Sequence, residues 1–254
     1  MNHKIKQIIE SKQISIGIIV FIIIMIILIT LTIYLKYNMI GEKNLPFNLS
    51  KISIISSIKG EDMQDEINKW NIAVNQNNDI YLYITKNNEY KNKETEAIVS
   101  VTINNFNVIK KPEVGTLKLY KPSNNRENFL FKNIAENQVD SINFIGSTES
   151  DINNLKISNQ GGLVVFRYSI EDLGNYISNE DTEINHDDLL KKLKIRNENL
   201  KFNVTADIEI KLKSNLSYKA NLNFDLPVGN VVDNGTQSKE DIDLSNVIFK
   251  RENK

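Results

Sequence analysis

Residues 202–226 read Phe-Asn-Val-Thr-Ala-Asp-Ile-Glu-Ile-Lys-Leu-Lys-Ser-Asn-Leu-Ser-Tyr-Lys-Ala-Asn-Leu-Asn-Phe-Asp-Leu. From Phe202 to Leu212, and again from Leu216 to Leu226, every second side chain is apolar. A period of two marks strands with one buried and one solvated face. Placing Leu212 opposite Leu216 across Lys213-Ser214-Asn215 brings Ile210 to Tyr218, Ile208 to Ala220 and Phe202 to Leu226, all on one face. A slip of one residue would turn one whole set to water, so the hydrophobic pattern itself specifies the register. The stretch predicts a long antiparallel hairpin and a β domain built around it.

Outward from this hairpin the same period recurs. Lys51–Ile58 is a candidate strand. Trp70, Ile72 and Val74, then Ile80, Leu82 and Ile84, predict two strands flanking an Asn-rich turn at Asn75–Asp79. Tyr81 and Tyr83 make the second of these apolar on both faces, as a central strand requires. Ala97–Val108, Thr116–Tyr120, Asn128–Phe131, Val139–Ile145 and Leu155–Ile157 follow; Gly161-Gly162 then turns the chain into Leu163–Tyr168, and Val247–Phe249 is placed at an edge. About ten short strands separated by turn signals predict a sandwich or a barrel. Helix is scarce. Ser169-Ile170-Glu171-Asp172 resembles a capping box that stops at Gly174, and Asn185 can cap a helix through Asp187–Leu193, with Leu189, Leu190 and Leu193 on one side. The expected fold is mainly β: an antiparallel β-sandwich-like domain over residues 51–254 with one or two short helices. A split near Ser150 is the alternative division.

A different pattern occupies residues 13–35. This run from Gln13 to Leu35 carries no charge and is rich in Ile. About 20 such residues span a bilayer core as a helix. A cleavable signal peptide would have a shorter apolar core and small residues at its cleavage site, yet the first alanine of the chain is Ala73. The Gly, Phe-Thr-Leu and Glu of a type IV pilin leader are absent as well. Residues 1–12 are therefore expected as a cytoplasmic tail, 13–35 as a transmembrane helix whose partner is the lipid bilayer, and 36–50, with Gly41 and Pro46, as a short juxtamembrane linker. Lys4, Lys6 and Lys12 against Glu10 nearly balance Lys36, Lys43 and Lys51 against Glu42. Domain size decides the orientation, because long domains translocate largely regardless of charge while a short basic tail stays inside. Tyr34 and Tyr37 suit the lipid–water boundary at the outer end. The domain is expected outside the cell; a domain facing the cytoplasm is the alternative.

Composition narrows the chemistry. With 31 basic and 32 acidic residues the chain has a net charge of −1, so no basic face for nucleic acid is implied. The absence of cysteine excludes disulfides, thiol nucleophiles and Cys-ligated zinc. Of the two histidines, His3 lies in the tail, and His186, beside Asp187 and Asp188, reads as an exposed residue at a helix start. Ser56-Ser57-Ile58-Lys59 has the letters of the S-x-x-K motif of penicillin-binding enzymes, but it ends a strand run and lacks the companion S-D-N and K-T-G motifs. Leu226-Pro227-Val228-Gly229 lacks the threonine of L-P-x-T-G and reads as a strand ending at a proline turn. Gly161-Gly162 is not followed by the Lys-Ser/Thr of a phosphate loop. Two acidic groups remain: Glu180, Asp181 and Glu183 with Asp187 and Asp188, and Glu61 and Asp62 with Asp65 and Glu66. Both read as solvated loops; the first is a candidate calcium loop without EF-hand spacing. A pair of carboxylates for glycoside hydrolysis is a matter of the fold rather than of the sequence.

In its anchor and its Asn-, Ile- and Lys-rich composition the chain resembles single-pass envelope proteins of low-GC Gram-positive bacteria. No motif carries residues over from a family, and none is assigned as catalytic, cofactor-binding or metal-ligating. The expected function is a membrane-anchored β-rich domain that binds or scaffolds a membrane protein, a cell-wall polymer or another copy of itself. A carboxylate-dependent envelope hydrolase is the alternative.

Overall fold

The computed structural model describes residues 3–63, 69–91, 96–123, 131, 140–179 and 183–252, with side chains from residue 16 onward. The chain divides into two units, Met1–Lys43 and Asn44–Lys254.

The first unit is one helix, α1 (His3–Ile40). It includes the uncharged run and extends beyond it on both sides. Its Ile16–Ile40 segment is long and apolar enough to cross a membrane; at 1.5 Å per residue it reaches about 37 Å, against a hydrocarbon core of about 30 Å. The two threonines of this run are satisfied internally. Thr30 Oγ1 donates to the Ile26 carbonyl at 2.9 Å and Thr32 Oγ1 to that of Leu28 at 2.7 Å, which makes hydroxyls tolerable in an apolar solvent. The helix ends at Gly41, whose N–H donates to Tyr37 O at 2.7 Å with φ +72°, a left-handed cap that glycine adopts without Cβ strain.

The second unit begins with β1 (Phe47–Asp62), β2 (Trp70–Lys86), β3 (Ile98–Lys110), β4 (Thr116–Tyr120), β5 (Ile142–Ser147) and β6 (Lys156–Ser158). It continues through β7 (Gly161–Glu171), β8 (Asn175–Ser178), α2 (Leu189–Lys192), α3 (Asn197–Leu200), β9 (Phe202–Leu212), β10 (Ser217–Leu226), α4 (Val231–Asn234), β11 (Gln237–Lys239) and β12 (Lys250–Arg251). One sheet runs β11-β1-β2-β7-β4, with β8 also paired to β2; the other runs β12-β10-β9-β3-β5-β6. All neighbours are antiparallel except β5 and β6, which are parallel, so the second sheet is mixed.

The β9–β10 hairpin has the expected register: Ile210 faces Tyr218, Ile208 faces Ala220 and Phe202 faces Leu226. Burial alternates strictly along β9. The apolar faces of the two sheets meet in one core. Phe166 on β7 lies 5.9 Å from Phe224 on β10, and Tyr168 lies 6.0 Å from Phe202 on β9, in tilted or edge-to-face contacts that suit the ring quadrupoles. Asn185 caps a short 3-10 turn at His186–Asp188, accepting from Asp187 N–H. The turn leads into α2, where Leu189 and Leu190 are buried.

Several expectations need correction. Asn75–Asp79 is not a turn. β2 runs straight through it as the central strand of its sheet, pairing with β1 on one side and β7 on the other. Asparagine favours turns because its side chain competes for backbone partners; here the side chains find partners within the sheet instead. Gln76 Nε2 donates to Asn78 Oδ1, Asn78 Nδ2 donates to Gln76 Oε1, and Ser169 Oγ donates to Asn77 Oδ1. Ser169–Asp172 is not a helix start either. Ser169 is buried in β7, because the apolar alternation of Val164, Phe166, Tyr168 and Ile170 outweighs a four-letter cap. The edge placed at Val247–Phe249 lies at Lys250–Arg251, since Phe249 turns into the core. The first strand reaches further than Lys51–Ile58 at both ends. The strand at Asn128–Phe131 falls outside the described residues apart from Phe131, which is buried in a turn; Val139 also lies outside them.

Candidate functional site

Odd-numbered residues of β2 point away from the sandwich core, and they build a second, smaller assembly on the outer face of their sheet. Asp79 and Arg167 pair across β2 and β7. The guanidinium grips the carboxylate with two bonds, Nε to Oδ1 at 2.5 Å and Nη2 to Oδ2 at 2.8 Å, with both side chains only 13% exposed. The Phe131 ring covers the guanidinium at 4.3 Å. Tyr120, Phe131 and Val165 are buried together beside Tyr81. Burial, aided by the nearby Asp79 carboxylate, pushes the Tyr81 hydroxyl up to about 12.

Toward the far end of this face lies a cleft of about 280 Å³, just below the usual range for ligand pockets. A chain irregularity creates it. β7 ends at Glu171 and β8 resumes pairing with β2 at Asn175. Between them Asp172 (φ +57°) and Gly174 (φ +132°) bulge outward, while Leu173 N–H donates to Val74 O and Val74 N–H to Gly174 O. Bulges of this kind re-aim side chains and are common beside functional sites. Two small residues, Ala73 and Gly174, leave the space open; Asn75, Asn175 and Glu61 contribute polar groups to its lining.

One side of the cleft is a linked set of polar groups. Tyr120 OH donates to Glu171 Oε1 at 2.6 Å, and Lys118 Nζ reaches Glu171 Oε2 at 2.6 Å. Burial, then the hydrogen bond to Glu171, holds the Tyr120 hydroxyl neutral far above the usual phenol range. The bond to Glu171 likewise raises the Lys118 ammonium. The Glu171 carboxylate thus has both oxygens engaged, one by the Lys118 ammonium and one by the Tyr120 hydroxyl.

The candidates singled out by sequence fall elsewhere. Ser56 of the S-x-x-K match is fully buried in mid-strand β1; its hydroxyl donates to Asn78 Oδ1 and accepts from Val228 N–H, which leaves no route to a substrate. Leu226-Pro227 does end β10, through a cis peptide. His186 is exposed and accepts from Gly60 N–H through Nδ1 at 3.2 Å. Asp187 is used by Thr236, whose N–H and hydroxyl both donate to Oδ1. Glu180 and Asp181 of the calcium-loop candidate, and Asp65 and Glu66 of the other acidic group, lie outside the described residues. Among the described residues no three His, Asp or Glu side chains are grouped to hold a metal ion. Lys118, Tyr120 and Glu171 carry no motif that marks them as a set. The first two stand two apart on β4, a weak signal of a shared face, but the cap-like letters around Glu171 point to a helix instead.

No protein family, curated protein or solved structure matches the chain. The class defined so far is an N-terminal apolar helix followed by a two-sheet β domain.

Proposed function

We propose that this chain is a single-pass membrane protein with residues 13–35 in the bilayer, residues 1–12 in the cytoplasm and the β domain outside the cell, where it recognises or scaffolds a partner at the bacterial envelope. The observation that carries this reading is the 25-residue segment Ile16–Ile40, in whose most apolar stretch no residue is buried. An exposed, uncharged apolar run of that kind, here as far as Leu35, is long enough to need lipid around it. Recognition rather than catalysis is supported by the way charges on the β domain are used. Lys118 is paired with Glu171, Arg167 with Asp79 and Lys219 with Asp207, an arrangement that holds shape. Confinement to a membrane raises the effective concentration of a co-resident partner, so modest affinity suffices. Candidate partners are a membrane protein, a cell-wall polymer and another copy of the chain.

The test uses the lack of native cysteine. Ser238 is exposed on β11, and Ser238→Cys is labelled in intact cells with an impermeant maleimide. Labelling before lysis is expected. Labelling only after lysis overturns the orientation, and release of the protein into the soluble fraction overturns the anchor.

The cleft favours a second reading, that of a hydrolase, because Glu61, Glu171 and Asp172 all line it. Glu61→Gln, Glu171→Gln and Asp172→Asn, each checked for folding, separate the two. If one well-folded variant is as inactive in complementation as a deletion, the enzyme reading replaces recognition.

A further inference from the structure

The second sheet has an open edge. Along β10, Leu216 O accepts from Leu212 N–H, whereas Ser217 O accepts from Glu252 N–H on the opposite side. Backbone groups alternate in an antiparallel ladder, so even-numbered residues bond to β9 and odd-numbered ones face outward. The outward side is covered at Tyr218 and Lys219 by β12. Beyond it, the outward N–H and C=O groups of Asn221, Asn223 and Asp225 have no backbone partner among the described residues, and all three residues are exposed. An exposed row of unpaired backbone groups is a template for an added strand.

We propose that this edge pairs with the same edge of a second copy of the chain, antiparallel about a two-fold axis through Asn223. That register matches three free residues to three free residues without displacing β12. It sets Asn223 against its own copy, and Asn221 of each chain against Asp225 of the other. No like charges are opposed, and such opposition is what destabilises cross-strand pairs. Asn203 Nδ2 donates to both Asn223 Oδ1 and Asp225 Oδ1, which holds the two acceptors on one face and leaves Asn223 Nδ2 and Asp225 Oδ2 to meet the other chain. The interface is isologous and therefore closes as a dimer. The inference rests on the anchored reading only in that a shared membrane concentrates the copies.

The test is cross-linking of the full chain in its membranes. In this register residue 223 faces itself as a hydrogen-bonded pair, about 5.5 Å between Cα atoms, within disulfide range. Asn223→Cys is expected to form a disulfide dimer on mild oxidation, at least tenfold more than Thr205→Cys. Thr205 lies opposite Asn223 on the neighbouring strand and points to the same face, but it stands one strand in from the edge. Equal cross-linking at both positions would mean face-to-face contact and overturn the proposal, as would absence of a dimer in folded Asn223→Cys. A second variant, Asn223→Pro, removes an outward N–H while leaving the β9 ladder intact. It should abolish co-capture of two differently tagged copies at an unchanged melting temperature; retained co-capture overturns the pairing. Maleimide labelling at position 238 reports anchoring and sidedness, so either result can fail without the other.

Discussion

Ser56 Oγ donates to Asn78 Oδ1 at 2.7 Å across the β1–β2 pair, inside the core, and the same hydroxyl accepts from Val228 N–H at 2.9 Å. One side chain thus ties two central strands to the turn that follows β10. Ser56→Ala would leave a buried amide N–H without its acceptor. The expected cost is about 1–3 kcal/mol, read as a lower denaturation midpoint with an unchanged slope. A change near zero would mean that the turn finds another partner.

The hairpin core should be intolerant of charge. Ile208 is fully buried on β9, and Ile208→Asp would place an unpaired carboxylate there, costing several kcal/mol, a large share of the 5–15 kcal/mol or so that stabilises a domain. Glu209 points the other way and accepts from the Ser217 hydroxyl. Glu209→Gln keeps an acceptor and should cost less than about 0.5 kcal/mol. Similar melting of the two variants in detergent would contradict the register.

The Asp79–Arg167 pair should behave as a unit. Asp79→Ala strands a largely buried guanidinium and is expected to destabilise by about 3 kcal/mol. Removing both charges, as Asp79→Leu with Arg167→Met, should recover most of that loss. A double-mutant cycle with no coupling would show that the bidentate geometry contributes nothing.

Acid should weaken the second sheet through Asp207. Burial pushes this carboxyl up, but hydrogen bonds from Asn221, Asn105 and Lys219 together hold it below its ordinary value of 3.8. The folded state therefore binds its proton less readily than the unfolded chain. The stability from this group is present above pH 3.8 and is lost as pH falls from there through the folded value. Asp207→Asn should flatten the stability profile below about pH 4. A profile as steep as that of the parent chain would assign the acid sensitivity elsewhere.

The cleft can be filled without altering any polar group. Ala73→Leu puts three more carbons into its floor, and a shift of less than about 3 kcal/mol is expected from the crowding. If the cleft is the recognition site, complementation is lost while the protein stays folded. Full complementation by Ala73→Leu would place recognition on another surface.

Two features are legible in the sequence because each rests on a single local repeat. The β9–β10 hairpin follows from alternation over Phe202–Leu226, where only one register buries every apolar side chain. The long helix follows from Gln13–Leu35, where no face is polar. The short turn capped by Asn185 belongs with them, since a cap is a contact between near neighbours.

Tertiary structure decided the rest. Gln76-Asn77-Asn78 has the letters of a turn, yet it forms part of a central strand because Ser56 and Ser169, far away in sequence, supply partners for its side chains. Glu171 lies on a strand and not on a helix for a similar reason: β7 is held between β2 and β4. The cleft arises only where β7 and β8 break step along β2, and its Lys118–Glu171–Tyr120 set joins strands that are remote in the chain. Local propensity is worth tenths of a kcal/mol to about 1 kcal/mol per residue, whereas burying one large apolar side chain is worth about 1.5–3 kcal/mol. At Asn75–Asp79 the burial of the flanking Ile72, Val74, Ile80 and Leu82, with hydrogen bonds from distant strands to Asn77 and Asn78, outweighs the local turn preference, and no reading of neighbouring letters contains that information.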